Sequence, residues 1–334
     1  MLIKPGYTFD DILLVPKKST VAHRKDVDLF VDWGRNIKTL PIVSANMKHV
    51  TGPAMASALA QNKCMAILHR FATNQDRIDT FQNLIHYSNF IGMSFGVSQD
   101  EIDLFEMCYN KFCSSLQIAC IDVAHGHSSA CINAVSKFRS IHPKCLLIAG
   151  NVATSDGAYD LYQAGADVVK CGIGGGSICS TRVETGNGVP QVTALDDIWE
   201  YFKVFPNRPK LIADGGLSKV GNIVKALCFA DGVMLGNMLA GSTEAPGESI
   251  IQNGKIYKSY AGSSTFRPNN IEGYVGLVPY KGPVDLVLKK ITEGIQSGCS
   301  YQGVDNIGDL KNNPEFVQIT HAGAIESGAH DLIF

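Results

Sequence analysis

The chain has 334 residues, 45% of them hydrophobic and 18% charged, with a formal net charge of −2. The near-neutral balance gives no whole-chain attraction for nucleic acid or an anionic membrane, and no apolar run approaches the roughly 18 residues needed to cross a bilayer. The opening MLIKPGYTFDD carries early acids and no apolar core, so it does not read as a signal peptide, and a cytoplasmic protein is the expectation.

Eight short apolar runs follow in chain order: PIVSANM (41–47), CMAILHR (64–70), FIGMSFGV (90–97), IACIDVAHGH (118–127), LLIAGNVAT (146–154), ADVVKCGIGGG (166–176), KLIADGG (210–216) and ADGVMLGN (230–237). They are continuous rather than alternating, which is the pattern of strands buried on both faces. Helix-like segments lie between them. TSDGAYDLYQAGAD (154–167) offers Thr154 or Ser155 as N-cap, and SKVGNIVKALCFA (218–230) offers Ser218, with Ile223, Ala226 and Leu227 as its apolar face. Strand, loop and helix repeated eight times predicts a single α/β domain over 1–334, a (β/α)8 TIM barrel. A doubly wound sheet is the competing arrangement, and the count of eight favours the barrel. The stretch 242–282 after the eighth strand is too long for a plain connection and is expected to be a functional excursion.

Barrel enzymes carry their chemistry just past the C-terminal ends of the strands. Polar residues collect there: Asn46 to Lys48, His69 and Arg70, Asp122, His125 and His127, Asn151, Asp214, and Asn237. ADGG (213–216) and LGNMLAG (235–241) have the composition of the phosphate-binding loops that follow strands seven and eight. Asp214 is placed to accept hydrogen bonds from vicinal hydroxyls, as acids do with ribose; capping the next helix is its plainer alternative.

The ten cysteines form no C-x-x-C pair and no zinc-spaced cluster. Cys64, Cys120 and Cys228 sit in apolar runs and read as small buried hydrophobes. Cys179 differs. In CGIGGGSICSTRVETG (171–186) it follows three consecutive glycines and is flanked by hydroxyl residues. Glycines let backbone amides and carbonyls come close, and a thiol near amides is an activated nucleophile. Thr181 is in reach to hold a water or leaving group, and inward carbonyls could bind a monovalent cation.

TFDDILLVP (8–16), SANM (44–47), DVAHGHS (122–128), AGNVAT (149–154), VKCGIGGGSICSTR (169–182), IADGG (212–216) and VPYKGPV (278–284) together resemble the IMP dehydrogenase/GMP reductase family. The resemblance implies a TIM barrel, a homotetramer, a purine nucleotide and a nicotinamide cofactor, with Cys179 attacking purine C2. It assigns Met47, Ser177, Asp214, Gly216, Gly236, Asn237, Tyr260, Gly262 and Ser263 to the nucleotide. Gly174, Gly176 and Cys179 would offer carbonyls to potassium, and Asp122, Asn151, Gly172 and Gly174 would face the nicotinamide. Thr181 and Glu272 would protonate departing ammonia. About twenty residues separate the second and third runs, which leaves no room for the paired regulatory module usual in the dehydrogenases, and no Arg-Tyr pair occurs. The resemblance is therefore closest to the reductase branch, in which GMP and NADPH give IMP and ammonia. The C-terminal FVQITHAGAIESGAHDLIF resembles the dehydrogenases instead, so a dehydrogenase without the module stays open. So do a binding protein without turnover and an unrelated phosphate-binding barrel, which would need a lysine or paired acids at the strand ends.

Overall fold

A computed structural model describes residues 3–262 and 274–328. Two short hairpin strands, β2 (Val31–Gly34) and β3 (Ile37–Thr39), come after a three-residue strand β1 (Ile12–Leu14) and precede the repeat. The repeat then runs β4 (Ile42–Ser44), α1 (Pro53–Gln61), β5 (Met65–Leu68), α2 (Asn74–Asn83), β6 (Ile91–Phe95), α3 (Gln99–Phe112), β7 (Ile118–Asp122), α4 (Ser129–Ile141) and β8 (Leu146–Val152). It continues through α5 (Ser155–Gln163), β9 (Val168–Cys171), the one-turn α6 (Thr181–Thr185), α7 (Gln191–Phe202), β10 (Lys210–Asp214), α8 (Val220–Leu227) and β11 (Gly232–Leu235).

All eight strands of the repeat, β4 to β11, pair in parallel and close on themselves, β11 bonding back to β4. Each falls inside one of the eight apolar runs, and none of β4, β5, β6, β9 and β11 has a residue outside the buried class. The barrel is therefore an α/β TIM barrel and not an open doubly wound sheet. Thr154 caps α5, its hydroxyl accepting the Gly157 N–H. Ser218 does not cap α8: Lys219 takes the N-cap position without a side-chain bond, because the chain after Asp214 spends two more glycines in its turn before the helix begins. The predicted apolar face of α8 is buried, with Ile223, Ala226 and Leu227 all at 0% exposure.

The hairpin β2–β3 closes the N-terminal end of the barrel. Trp33 is 1% exposed, donates its indole N–H to Thr39 Oγ1 at 2.8 Å, and packs where a side chain on Gly232 would otherwise lie. Two Ala-Asp pairs secure that same end. Asp167, just before β9, accepts the Leu147 N–H and bonds Arg139 and Arg35. Asp231, just before β11, accepts the Leu211 N–H and holds Arg208 in a two-pronged bond at 2.7 and 2.8 Å, with Lys311 3.5 Å away. Burial pushes the Asp231 carboxyl up, but Lys311 and Arg208 overcome it and hold the group well below its ordinary value of 3.8.

Beyond β11 come a short α9 (Asn237–Ala240), an antiparallel sheet of β12 (Ser249–Gln252), β13 (Lys255–Ala261) and β14 (Val275–Pro279), the long α10 (Val284–Gln302), β15 (Phe316–Gln318) and α11 (His321–Glu326). Among its described residues, the excursion over 242–282 contains this small sheet. α10 lies against α8 across Gly294 and Gly298, where any Cβ would meet Val220 and Val224 at 2.3 and 2.5 Å. β15 pairs with β1 and ties the C-terminal part to the start of the chain.

Asp231→Ala leaves the partly buried Arg208 and Lys311 without their buried anion, so it should cost about 3 kcal/mol, read by urea unfolding. The depressed carboxyl stabilises the fold above its unfolded value of 3.8, and that contribution is lost as the pH falls. Wild-type stability should therefore drop more steeply below about pH 4 than that of the variant.

Candidate active site

The floor of the site is built by two turns pressed together. The loop after β9 takes positive φ at Gly172 (+146°) and Gly174 (+76°), and the loop after β10 does so at Gly215 (+106°) and Gly216 (+74°). A Cβ on Gly172 would sit 1.9 Å from the Asp214 carbonyl oxygen, and the Gly216 N–H donates to the Gly175 carbonyl at 2.8 Å. Only glycine permits both the backbone angle and this approach. Two side chains brace the loop from behind. Gln191, at the start of α7, donates to the Cys171 carbonyl at 2.8 Å, and Arg182 reaches back to the carbonyls of Ile173 and Val189.

This scaffold carries Cys179. Its backbone N–H donates to the Gly176 carbonyl at 3.0 Å, and its thiol lies 3.2 Å from Thr181 Oγ1. Eight of the ten cysteines are buried, Cys113 is exposed on the far end of α3, and Cys179 alone is half-buried. Burial lifts the thiols of Cys64, Cys120 and Cys228 to about 12, consistent with inert packing.

Cys179 opens on a cavity of about 930 Å³ at the C-terminal end of the barrel. Gly172, Gly174, Gly176, Ser177 and Thr181 line it from the cysteine side. Met47, Gly236, Asn237, Tyr260 and Gly262 line another wall, and Asp122, Asn151, Asp214 and Gly216 the floor. Ser263 and Glu272 lie outside the described residues. Met47, Gly236 and Tyr260 meet closely: the phenol is 3.7 Å from the Met47 sulfur, and a Cβ on Gly236 would come 2.8 Å from the phenol oxygen. Burial outweighs a hydrogen bond with Ser177 and pushes the Tyr260 phenol up to about 12, so it stays a neutral hydroxyl. Tyr274 donates its N–H to the Ile178 carbonyl and accepts from the Gly262 N–H, which clips the excursion onto the cysteine loop.

The floor holds a group that sequence reading missed. Lys170, on β9, is 1% exposed, yet its ammonium lies 2.5 Å from Asp122 Oδ1 and 3.4 Å from Asp214 Oδ2. Asn151 Nδ2 also donates to Asp214 Oδ2 at 2.8 Å and to the Gly172 carbonyl at 2.9 Å. Asp214 therefore caps no helix. Burial alone would depress the Lys170 ammonium, but Asp122 and Asp214 raise it well above its ordinary value. Burial raises the Asp122 carboxyl while Lys170 pulls it down further, and the net result is a lowered, ionised carboxylate. A signal was present: a lone lysine in the apolar run ADVVKCGIGGG must find an anion when buried. A lysine with paired acids at strand ends is what an aldolase-like barrel needs. A Schiff-base lysine, however, requires a depressed pKa and access to substrate, and Lys170 has neither.

Two strand-end histidines have local partners. Phe71 donates its N–H to His69 Nδ1 at 3.2 Å, so that nitrogen is unprotonated, and burial with nearby Lys48 lowers the His69 pKa to about 4. His127 pairs with Asp160 at 2.9 Å. Among the described residues no group of three His, Cys, Asp or Glu side chains could hold a metal, and no helix is long and apolar enough to cross a membrane.

Comparison with known proteins decides the family. The IMP dehydrogenase / GMP reductase domain matches residues 6–330. The chain belongs to the IMP dehydrogenase/GMP reductase family. It is 35% identical to a GMP reductase of Latilactobacillus sakei, over 95% of this chain and 97% of that protein. It is 34% identical to an inosine-5'-monophosphate dehydrogenase of Borreliella burgdorferi, over 99% of this chain and 98% of the other. Among solved structures, a GMP reductase variant from Trypanosoma brucei in complex with guanosine 5'-monophosphate superposes with a TM-score of 0.89 at 26% identity, over 99% of both chains. The protein is thus a member of an oxidoreductase family with both reductase and dehydrogenase relatives.

Gly172→Ala should push the two turns apart. The overlap with the Asp214 carbonyl, added to the positive φ, predicts a loss of about 3 kcal/mol in urea unfolding, against no loss and up to about 1 kcal/mol of gain for Gly221→Ala in the open surface of α8.

Proposed function

We propose that this protein is a GMP reductase, converting GMP to IMP and ammonia with NADPH as reductant. The observation that carries the reading is the half-buried Cys179 thiol, held beside the Thr181 hydroxyl at the edge of the barrel-mouth cavity. The guanylate bound to the Trypanosoma brucei relative supports the nucleotide assignment.

In this reading the nucleotide phosphate lies against the glycine-bearing turns at Gly216 and Gly236 to Asn237, with Ser177, Tyr260, Gly262 and Ser263 adding donors. Asp214 takes the ribose hydroxyls, and Met47 packs against the purine. Cys179 then bonds to purine C2 as its sulfhydryl proton leaves. The C2 amino group, protonated through Thr181 and Glu272, departs as ammonia, and the base remains as a thioimidate on sulfur. General acid assistance of this kind contributes typically about 10²–10⁴-fold. Asp122, Asn151, Gly172 and Gly174 face the place where a nicotinamide would lie. Asn151 suits it, because its Oδ1 is buried with no hydrogen-bond partner among the described residues and can accept from a carboxamide. Bound NADPH would supply a hydride for C2, and expulsion of the Cys179 sulfur would then release IMP. The carbonyls of Gly174, Gly176 and Cys179 are a neutral oxygen set suited to potassium, which would stiffen the cysteine loop. Gly176 already accepts one hydrogen bond there and keeps a second lone pair. The chain works, in this proposal, as one catalytic barrel domain without an inserted module, in a homotetramer in the cytoplasm.

One specific observation favours a second reading, IMP dehydrogenase without the module: the Borreliella burgdorferi relative matches this chain end to end. The two readings separate in one assay. GMP-dependent oxidation of NADPH with release of ammonia is the expected result; NADH formation from IMP and NAD, with no GMP-dependent NADPH loss, moves the assignment to the dehydrogenase. Tight GMP binding with no turnover in either direction would instead make it a binding protein. Cys179→Ala should keep GMP affinity within about threefold and lose turnover altogether, as expected for a covalent nucleophile. Glu272→Gln should slow ammonia release more than it weakens GMP binding, and an unchanged rate removes Glu272 from the reaction.

A further inference from the structure

The two carboxylates stabilise the buried cation on the floor, but stability alone does not call for a charge there. Replacing a buried ion pair by apolar side chains of similar volume is often neutral or favourable for stability. Lys170 already has an apolar neighbour in Met234, whose sulfur is 3.9 Å from its nitrogen, so a methionine-like side chain would suit the place. What the lysine does have is position. It is 1% exposed, while the two carboxylates it touches are 21% and 23% exposed and line the cavity. One ammonium therefore stands behind two anions that project from different strands, Asp122 from the end of β7 and Asp214 from the end of β10.

We propose that Lys170 is a positioning residue for the redox step, its single ammonium fixing Asp122 and Asp214 together so that the nucleotide seat and the cofactor-facing seat keep one relative geometry. This rests on the reading of the two carboxylates given above. Two like charges within 3.4 Å of a common point would otherwise repel, swing apart or take up a proton. Asn151 extends the arrangement: by bonding both Asp214 and the Gly172 carbonyl it transmits the carboxylate's place to the glycine loop that carries Cys179. The other ionisable groups facing this cluster are Arg70 after β5, Cys120 on β7 and Cys131 on α4, with Cys171 and the Tyr260 phenol beside Asp214. Of these, Arg70 is the other cation, and it acts on Asp122 more weakly than Lys170 does.

The test compares wild type, K170M and K170R. Carbon-13 carboxyl titration of the ligand-free protein should show the Asp122 signal titrating about one pH unit or more higher in K170M, with K170R close to wild type. Loss of a bond to a charged group predicts at least about tenfold weaker GMP binding in K170M. The acid limb of kcat/KM for NADPH should move up with the Asp122 titration. A folded K170M with an unmoved Asp122 signal, GMP affinity within about twofold and an unmoved acid limb overturns the proposal. Should K170M fail to fold, D122N/K170M removes the buried charge pair as a whole. Its GMP affinity should still fall about tenfold through Asp214, and an affinity equal to wild type overturns the proposal. Wild-type protein that binds neither GMP nor IMP defeats the functional reading instead, and the ligand-free titration still decides the claim about Lys170.

Discussion

The contact on which the site depends is the one between the turn after β9 and the turn after β10. The Gly172 backbone lies so near the Asp214 carbonyl that no Cβ fits, and the Gly216 amide bonds the Gly175 carbonyl. Parallel strands in a barrel already place their C-terminal ends side by side. Closing these two ends to backbone contact adds what the chemistry needs, a rigid shelf from which the chain turns out to Cys179. The conformational freedom that makes a glycine run costly in a loop is removed here by contact on both sides. Gln191 and Arg182, braced on the carbonyls of the same loop, keep the shelf from relaxing into the space behind it.

The two ends of the barrel use charge differently. At the N-terminal end, Asp167 and Asp231 are each tied by arginines and by the amide of a neighbouring strand, which fastens the barrel where no chemistry occurs. At the C-terminal end one buried lysine is shared by two carboxylates that line the cavity. The first arrangement satisfies its anions nearly completely. The second leaves Asp122 and Asp214 partly exposed toward a ligand-sized space, which is how an enzyme keeps ionised groups available without losing their positions.

Much of the fold was legible in the chain. The eight apolar runs contain the eight barrel strands, because a parallel strand buried on both faces is predominantly apolar rather than alternating. The α5 cap was legible to within one residue, Thr154 or Ser155, because a capping hydroxyl is a local signal. The α8 cap was not: Ser218 has the right chemistry, but the turn after Asp214 sets the helix start one residue later. The hairpin β2–β3 escaped notice because its strands span four and three residues, and its burial comes from Trp33 meeting a strand two hundred positions away in sequence rather than from a local pattern. The glycine–cysteine loop and Asp214 announced themselves by composition. Lys170 did not, since in an apolar run a single lysine reads as an interruption until its partners are known.

The sequence by itself determined each apolar run of the repeat, the strand ends at which polar residues gather, and a cysteine in a glycine setting, because each of these is a local pattern of consecutive residues. The tertiary structure alone decided that Asp122, Lys170 and Asp214 form one charge cluster, and that Met47 and Tyr260 share a wall with Gly236. Lys170 and Asp214 are 44 positions apart along the chain, and Met47 and Tyr260 are 213 apart. Barrel closure brings them within bonding distance, and no local propensity can state which distant anion a buried cation will find.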